Sequence, residues 1–181
     1  MKYEKILKLR DGRECTLRNG ATGDGKAVLD IFILTHEQTD FLASYADECT
    51  MTAEEEDEFL QKQTDSKNAI EIVAEINGNI IGMAGIEAMG SKSKMRHRAD
   101  FGISIDQAYW GLGIGKALTE ACIECAREAG YEQLELQVVA ENEKAISLYK
   151  KVGFIEYGRD PRGFKSRISG YQELVYMRLE L

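Results

Sequence analysis

The chain has 181 residues, with 23 Lys and Arg against 31 Asp and Glu, for a formal net charge of −8. That sign disfavours nucleic acid as a partner, and one proline among 17 glycines excludes collagen-like or proline-rich linker character. The length suits a single domain over 1–181 that can bury about 70% of its unfolded surface without disulfides or metals. Residues 80–86 form the longest uncharged apolar stretch, far short of the roughly 20 residues a membrane helix needs. No apolar run follows the first five residues as a secretory signal requires, so a cytoplasmic protein with no membrane partner is expected.

In chain order, residues 5–18 alternate apolar and polar on both sides of Asp11-Gly12, a hairpin signal. Residues 22–34 place Ala27, Val28, Ile31 and Leu34 on one helical face. A second helix starts after Thr52, where Glu55 completes a capping box and the acidic run 54–58 suits the positive helix end. Residues 70–76 and 80–88 read as strands joined by an Asn77-Gly78 type I′ turn. After a polar loop at 91–94, residues 96–105 form a strand. Phe101, Ile103 and Ile105 lie on one face of it, with Asp100, Gly102 and Ser104 on the other. A helix over 113–129 is closed by Gly130, a strand covers 134–139, and a helix over 142–151 ends at Val152-Gly153. The last strands cover 154–158 and 171–179, and residues 159–170 between them read as a long loop. The sum is a mixed α/β (α+β) domain, antiparallel first, with a strand–helix–strand unit in its second half.

Cys122 and Cys125 form a C-x-x-C, the spacing of redox and zinc motifs. They share one helical stripe with Ile114, Leu118 and Ala121, no second pair exists, and His36 and His97 lack ligand spacing. Buried, reduced thiols and no metal are therefore expected.

The most informative segment runs from Trp110 to Leu118 as Trp-Gly-Leu-Gly-Ile-Gly-Lys-Ala-Leu, between a strand and a helix. Glycines there let a ligand approach bare N–H groups at a positive helix end, which makes an anion cradle. A P-loop needs four residues between its glycines where Gly111 and Gly115 enclose three, and Ala117 replaces the Mg²⁺-binding hydroxyl. For a dinucleotide fingerprint the third glycine falls one place early.

The run from Phe101 through this turn resembles motif A of the GNAT N-acetyltransferase superfamily. Val138 to Phe154, with its Asn-x-x-Ala-x-x-Leu-Tyr-x-x-x-Gly-Phe order, resembles motif B. The resemblance covers nearly the whole chain. Trp110 stands where many members carry Gln or Arg, as in the ribosomal-protein-acetylating branch and its relatives. The resemblance implies a GNAT-like mixed central sheet, splayed in the middle and flanked by about four helices. It implies an acetyl-CoA-dependent acyltransferase acting on a small cationic amine or a protein N-terminus, and dimers are common in the family.

Residue by residue, the resemblance has the backbone of Ile103, Ser104 and Ile105 pair with the pantetheine arm, in a slot between the 96–105 and 134–139 strands. The turn Gly111, Leu112, Gly113, Ile114, Gly115 and Lys116 would cradle the pyrophosphate, with Asn142 at the arm. Lys116, Lys144 and Lys151 would offset the negative charge of CoA, although solvated helix faces account for these lysines equally well. Tyr149 would place its hydroxyl at the sulfur, serving the departing thiolate. Asp100 sits where some relatives use a carboxylate acting through water. His97, Glu87 and Glu135 are weaker candidates for the base. The segment 36–51, carrying Glu37, Asp40, Asp47 and Glu48 with Phe41 and Tyr45, and the 159–170 loop would choose the acceptor. A non-catalytic acyl-CoA-binding module on the same fold is the alternative, and Tyr149 argues against it.

Overall fold

The computed structural model describes residues Met1–Leu181. Its strands are β1 (Glu4–Lys8), β2 (Glu14–Asn19), β3 (Ile70–Ile76), β4 (Asn79–Ala88), β5 (Arg98–Ile105), β6 (Gln133–Val139), β7 (Ile155–Ser166) and β8 (Gly170–Glu180). The helices are α1 (Gly25–Gln38), α2 (Ala53–Asp65), α3 (Ile114–Glu128) and α4 (Glu143–Lys151). All strands join one sheet in the order β1-β2-β3-β4-β5-β6-β8-β7, antiparallel except for the β5–β6 pair.

Alternation along the central strands decides what each helix covers. Ile70, Ile72 and Ala74 of β3, Ala84 and Ile86 of β4, Phe101 of β5 and Leu134 and Leu136 of β6 pack with Leu118, Cys122 and Cys125 of α3. Each fully buried large side chain there contributes about 1.5–3 kcal/mol relative to exposure. The opposite parity faces α1 and α2, where Val73 packs between Val28 and Leu60. Cys122 and Cys125 are buried free thiols, as expected, and burial pushes both above the ordinary thiol range.

The sheet splays where the site needs it to. β5 pairs with β6 only over Arg98–Asp100, whereas its register with β4 is unbroken from Ala99 to Ile105. From Phe101 onward the β6 side of β5 has no strand partner, so a wedge opens toward the start of α3.

Local expectations hold in several places. Asn77 and Gly78 both have positive φ (52° and 80°), as a type I′ turn requires. Thr52 Oγ1 accepts from the Glu55 N–H at 3.2 Å, and the Glu55 carboxylate accepts from the Thr52 N–H at 2.8 Å. Others shift. The β1–β2 connection spans residues 9–13, closed by Leu9 N–H donating to the Arg13 carbonyl at 2.8 Å, and is wider than a two-residue turn. Helix α1 starts and ends later than 22–34, because Asp57 of α2 accepts from the Gly23 and Gly25 N–H groups at 2.7 Å each.

The expected 159–170 loop is corrected: most of it is strand β7, an edge strand paired with β8. Register shifts between Glu156 and Gly158 and between Asp160 and Phe164 break the alternation that would have revealed it. Pro161 lies within the second shift, a place that tolerates its missing N–H.

Candidate active site

Two cavities flank the free end of β5. The first, about 400 Å³, lies in the wedge between β5, the glycine turn and α4. Gly111 and Gly113 have φ of 79° and 99°, a conformation that favours glycine. The N–H groups of residues 111–116 find no acceptor within the chain; the first helical bond is donated by Ala117 to the Gly113 carbonyl. A run of free donors at a helix N-terminus fits a diphosphate. Arg10, Lys116, Lys144 and Lys151 line this cleft, and no Asp or Glu does.

Of the expected cofactor residues, Ile103, Ser104, Ile105, Gly111, Gly113, Gly115, Lys116, Asn142 and Lys151 line the cleft. The side chains of Leu112 and Ile114 instead pack with the core, leaving only their N–H groups for a ligand. Asn142 also caps α4, its Oδ1 accepting from the Ala145 N–H at 3.3 Å. Trp110 Nε1 donates to the Ile105 carbonyl at 2.8 Å, which fixes the turn against the end of β5. Arg10 escaped the sequence reading because it comes from the β1–β2 connection; its Nη1 donates to the Gly111 carbonyl at 3.2 Å.

Tyr149 lies at the inner end of this cleft. Its ring packs edge-on to Phe101 (centroids 6.1 Å apart) and against Phe154 (5.9 Å). Burial pushes its phenol well above the ordinary value, and no charge or hydrogen bond within the chain opposes that. Such a hydroxyl stays neutral. It suits hydrogen-bond donation to a nearby thiolate better than outright proton release.

The second cavity, about 340 Å³, lies on the other face of the sheet, under α1 and α2. It meets the first at Leu42, Ile103 and Ser104, which line both. Three carboxylates line it, Glu71, Glu87 and Asp100, and no Lys or Arg does. Glu71 stands opposite Gly85 in the β3–β4 register, and Gly85 opposite Gly102 in the next. A Cβ at Gly85 would collide with the Glu71 carboxylate, so the glycine makes the space the acid occupies. Burial, then the charges of Glu56 and Glu87, push Glu71 up to about 8. Burial, then Glu87 and Glu135, push Asp100 up to about 6.

His36 of α1 also lines this groove. Its ring stacks on Phe32 (centroids 3.7 Å apart), and Nδ1 donates to the Phe32 carbonyl at 2.7 Å, leaving the Nε2 lone pair free. Burial holds His36 below the ordinary imidazole value, so it is neutral at pH 7.

The remaining base candidates separate. Glu87 shares the groove with Asp100. Glu135 is buried and held by Arg98, Gln133 and Tyr157. Although burial pushes Glu135 up, those partners hold it below the ordinary carboxylate range. His97 lies before β5, outside both cavities, and its carbonyl accepts from the Glu132 and Gln133 N–H groups. β5 carries no bulge that would bring His97 in.

The acids expected to greet the acceptor are elsewhere too. Asp47 and Glu48 pair with Arg167, and Asp40 accepts from Ser166, Ser169 and Gln172. They fasten the α1–α2 connection to the β7–β8 hairpin, while Phe41 lines the first cleft. Glu71 was missed. The available signal was a carboxylate in β3 at the parity of Val73, on a face that α1 and α2 cover.

Residues 33–154 match the model of the acetyltransferase (GNAT) family. The chain is 27% identical over 165 residues to the L-amino acid N-acetyltransferase AaaT of Escherichia coli, covering 91% of this chain and 96% of that protein. It is 34% identical over 97 residues to the N-alpha-acetyltransferase RimI of Mycobacterium tuberculosis, covering 54% of this chain and 58% of that one. An acetyltransferase of the GNAT family from Streptococcus pneumoniae superposes with a TM-score of 0.88 at 31% identity, covering 92% of this chain and 99% of the other. Salmonella typhimurium yncA, solved with its cofactor acetyl-CoA, shares the fold with a TM-score of 0.81 at 20% identity over 92% of this chain and 94% of its own.

Proposed function

The chain belongs to the GNAT acetyltransferase family and is an acyltransferase, and from that premise we propose an N-acetyltransferase in which an acceptor primary amine attacks the thioester of acetyl-CoA directly. The observation that supports this reading is the meeting of two cavities of opposite charge at Ile103 and Ser104. One offers four cations and free N–H donors; the other offers three carboxylates and neither Lys nor Arg. An anionic carrier and a cationic acceptor would thus approach the same point from opposite faces of the sheet.

Acetyl-CoA, when bound, supplies an activated thioester carbon. The N–H groups of 111–116, with Arg10 and Lys116, would hold its diphosphate, and the free edge of β5 from Ile103 to Ile105 would take the arm as an added strand does. Asn142 presents its amide at the same cleft. Tyr149 donates a hydrogen bond where the sulfur ends and so stabilises the thiolate as negative charge develops.

An alkylammonium with a pKa near 10 must lose a proton before it attacks. Asp100 is the proposed acceptor of that proton. Two strand repeats, roughly 13 Å, separate it from Ser104, so it acts through water held in the groove. The amine is a small cationic amine or a protein N-terminus. Free-thiol detection with acetyl-CoA and a panel of amines tests the proposal. Thiol release that needs an uncharged or cationic amine supports it; turnover confined to anionic amines rejects it.

A further inference from the structure

Resting on the acetyl-CoA reading above, we infer that Arg10, in the β1–β2 connection, is a positioning residue that holds the glycine turn in its phosphate-binding conformation before the carrier arrives. The connection lies outside the family match at 33–154, and Arg10 reaches the turn from 101 residues away. Two hydrogen bonds from this one residue carry the argument. Arg10 Nη1 donates to the Gly111 carbonyl at 3.2 Å, and the Arg10 backbone N–H donates to the Leu112 carbonyl at 3.4 Å. Both peptide units are trans, and a trans peptide points its C=O and its N–H in opposite directions. The unit with the Gly111 carbonyl also carries the Leu112 N–H; the next carries the Leu112 carbonyl and the Gly113 N–H. Fixing the two carbonyls on Arg10 therefore turns both N–H groups away from it, and neither finds an acceptor in the chain, so both stay free for a ligand.

The turn gains from such a brace. Gly111, Gly113 and Gly115 alternate through it, and an unheld stretch of this kind would sample many backbone states and lose that freedom on binding. The connection is stiff enough to serve. Leu9 is buried in the core; its N–H donates to the Arg13 carbonyl at 2.8 Å, and its carbonyl accepts from the Gly12 N–H at 3.0 Å. The Asp11 carboxylate accepts from the Arg13 N–H at 3.1 Å and from Arg13 Nε at 2.8 Å. The Arg13 guanidinium so held lies over the Tyr109 ring, 5.2 Å from its centroid, and gives the connection a second foothold just before the turn. Lys116 makes the contrast within the same cleft. It pairs with Glu120 at 3.1 Å, bonds to neither carbonyl, and brings charge alone.

Calorimetry with acetyl-CoA on the wild-type chain, Arg10→Met and Lys116→Met, at low and at high salt, separates orientation from charge. At about 1 M salt the screening length is about 3 Å, so a contribution made by charge alone fades. Lys116→Met should bind more weakly than wild type at low salt and match it at high salt. Arg10→Met should bind about 10- to 100-fold more weakly at low salt and keep a deficit of about fivefold or more at high salt. Amide order parameters of Leu112 and Gly113 in the empty protein give a second readout; they should fall in Arg10→Met and hold their wild-type values in Lys116→Met. Arg10 is exposed, so the fold should survive its replacement, and a melting curve checks this for each variant. Full recovery of Arg10→Met at high salt, or unchanged order parameters at Leu112 and Gly113, would reduce Arg10 to a surface charge and overturn the inference while the acetyl-CoA reading stands. No saturable heat with the folded wild-type chain would overturn both.

Discussion

Tyr149 and Glu71 are both pushed above their ordinary values, Tyr149 by burial and Glu71 by burial and then by Glu56 and Glu87, and they predict different behaviour. Replacing Tyr149 by Phe keeps the ring against Phe101 and Phe154 and removes only the hydroxyl. kcat should fall about 10- to 100-fold, while the Kd for acetyl-CoA changes less than about threefold. Unchanged kcat would remove Tyr149 from the chemistry. Glu71 and Asp100 lie above their unfolded values, so the folded state favours their protonated forms. Their contribution to stability is present below about pH 4 and is lost as pH rises through about 6 for Asp100 and about 8 for Glu71. The empty protein should therefore melt lower at pH 9 than at pH 5. Glu71→Gln should remove part of that difference, raising Tm by a few degrees at pH 9 and leaving it little changed at pH 5. A loss of Tm at pH 9 would contradict the assignment. With Asp100 as the proposed base, activity runs the other way, because a protonated carboxyl cannot take the proton of the amine. kcat/KM should drop below about pH 6, and Asp100→Asn should cost about 100-fold or more and abolish that acid limb.

The glycine turn and the wedge are legible in the sequence because they are local: Gly111, Gly113 and the first turn of α3 are contiguous, and so are Asn142 and Tyr149 on α4. The acidic groove beneath α1 and α2 is not. Glu71, Gly85 and Asp100 come from three strands, and only their register makes them neighbours. Arg167 lies 120 residues from Asp47, so nothing near the α1–α2 connection shows that its acids are already paired. Alternation fails at β7 because its bulges shift the register. At this scale Gly113→Ala is the sharp test. A Cβ there meets open space, but φ of 99° strains any side chain. The substitution should cost about 1–3 kcal/mol of stability and, by shifting the N–H groups of the turn, weaken acetyl-CoA binding about tenfold or more. Urea unfolding and calorimetry read the two effects separately.

Across the whole molecule, a net charge of −8 coexists with a cleft lined by four cations and no acid. The fold segregates charge: cations gather where β1–β2, α3 and α4 meet, and acids gather beneath α1 and α2. No helix is long and apolar enough to cross a membrane. A mixed sheet that separates two strands after three paired residues leaves a wedge between them, and the two cavities of different lining share Leu42, Ile103 and Ser104 at the free end of β5. Calorimetric titration of the protein with acetyl-CoA at neutral pH is the most direct measurement. A saturable, one-to-one heat that weakens as salt rises is the expected result. Absence of any saturable heat, with the protein folded, would contradict the assignment of the 111–116 donors to a diphosphate and the chemistry built upon it.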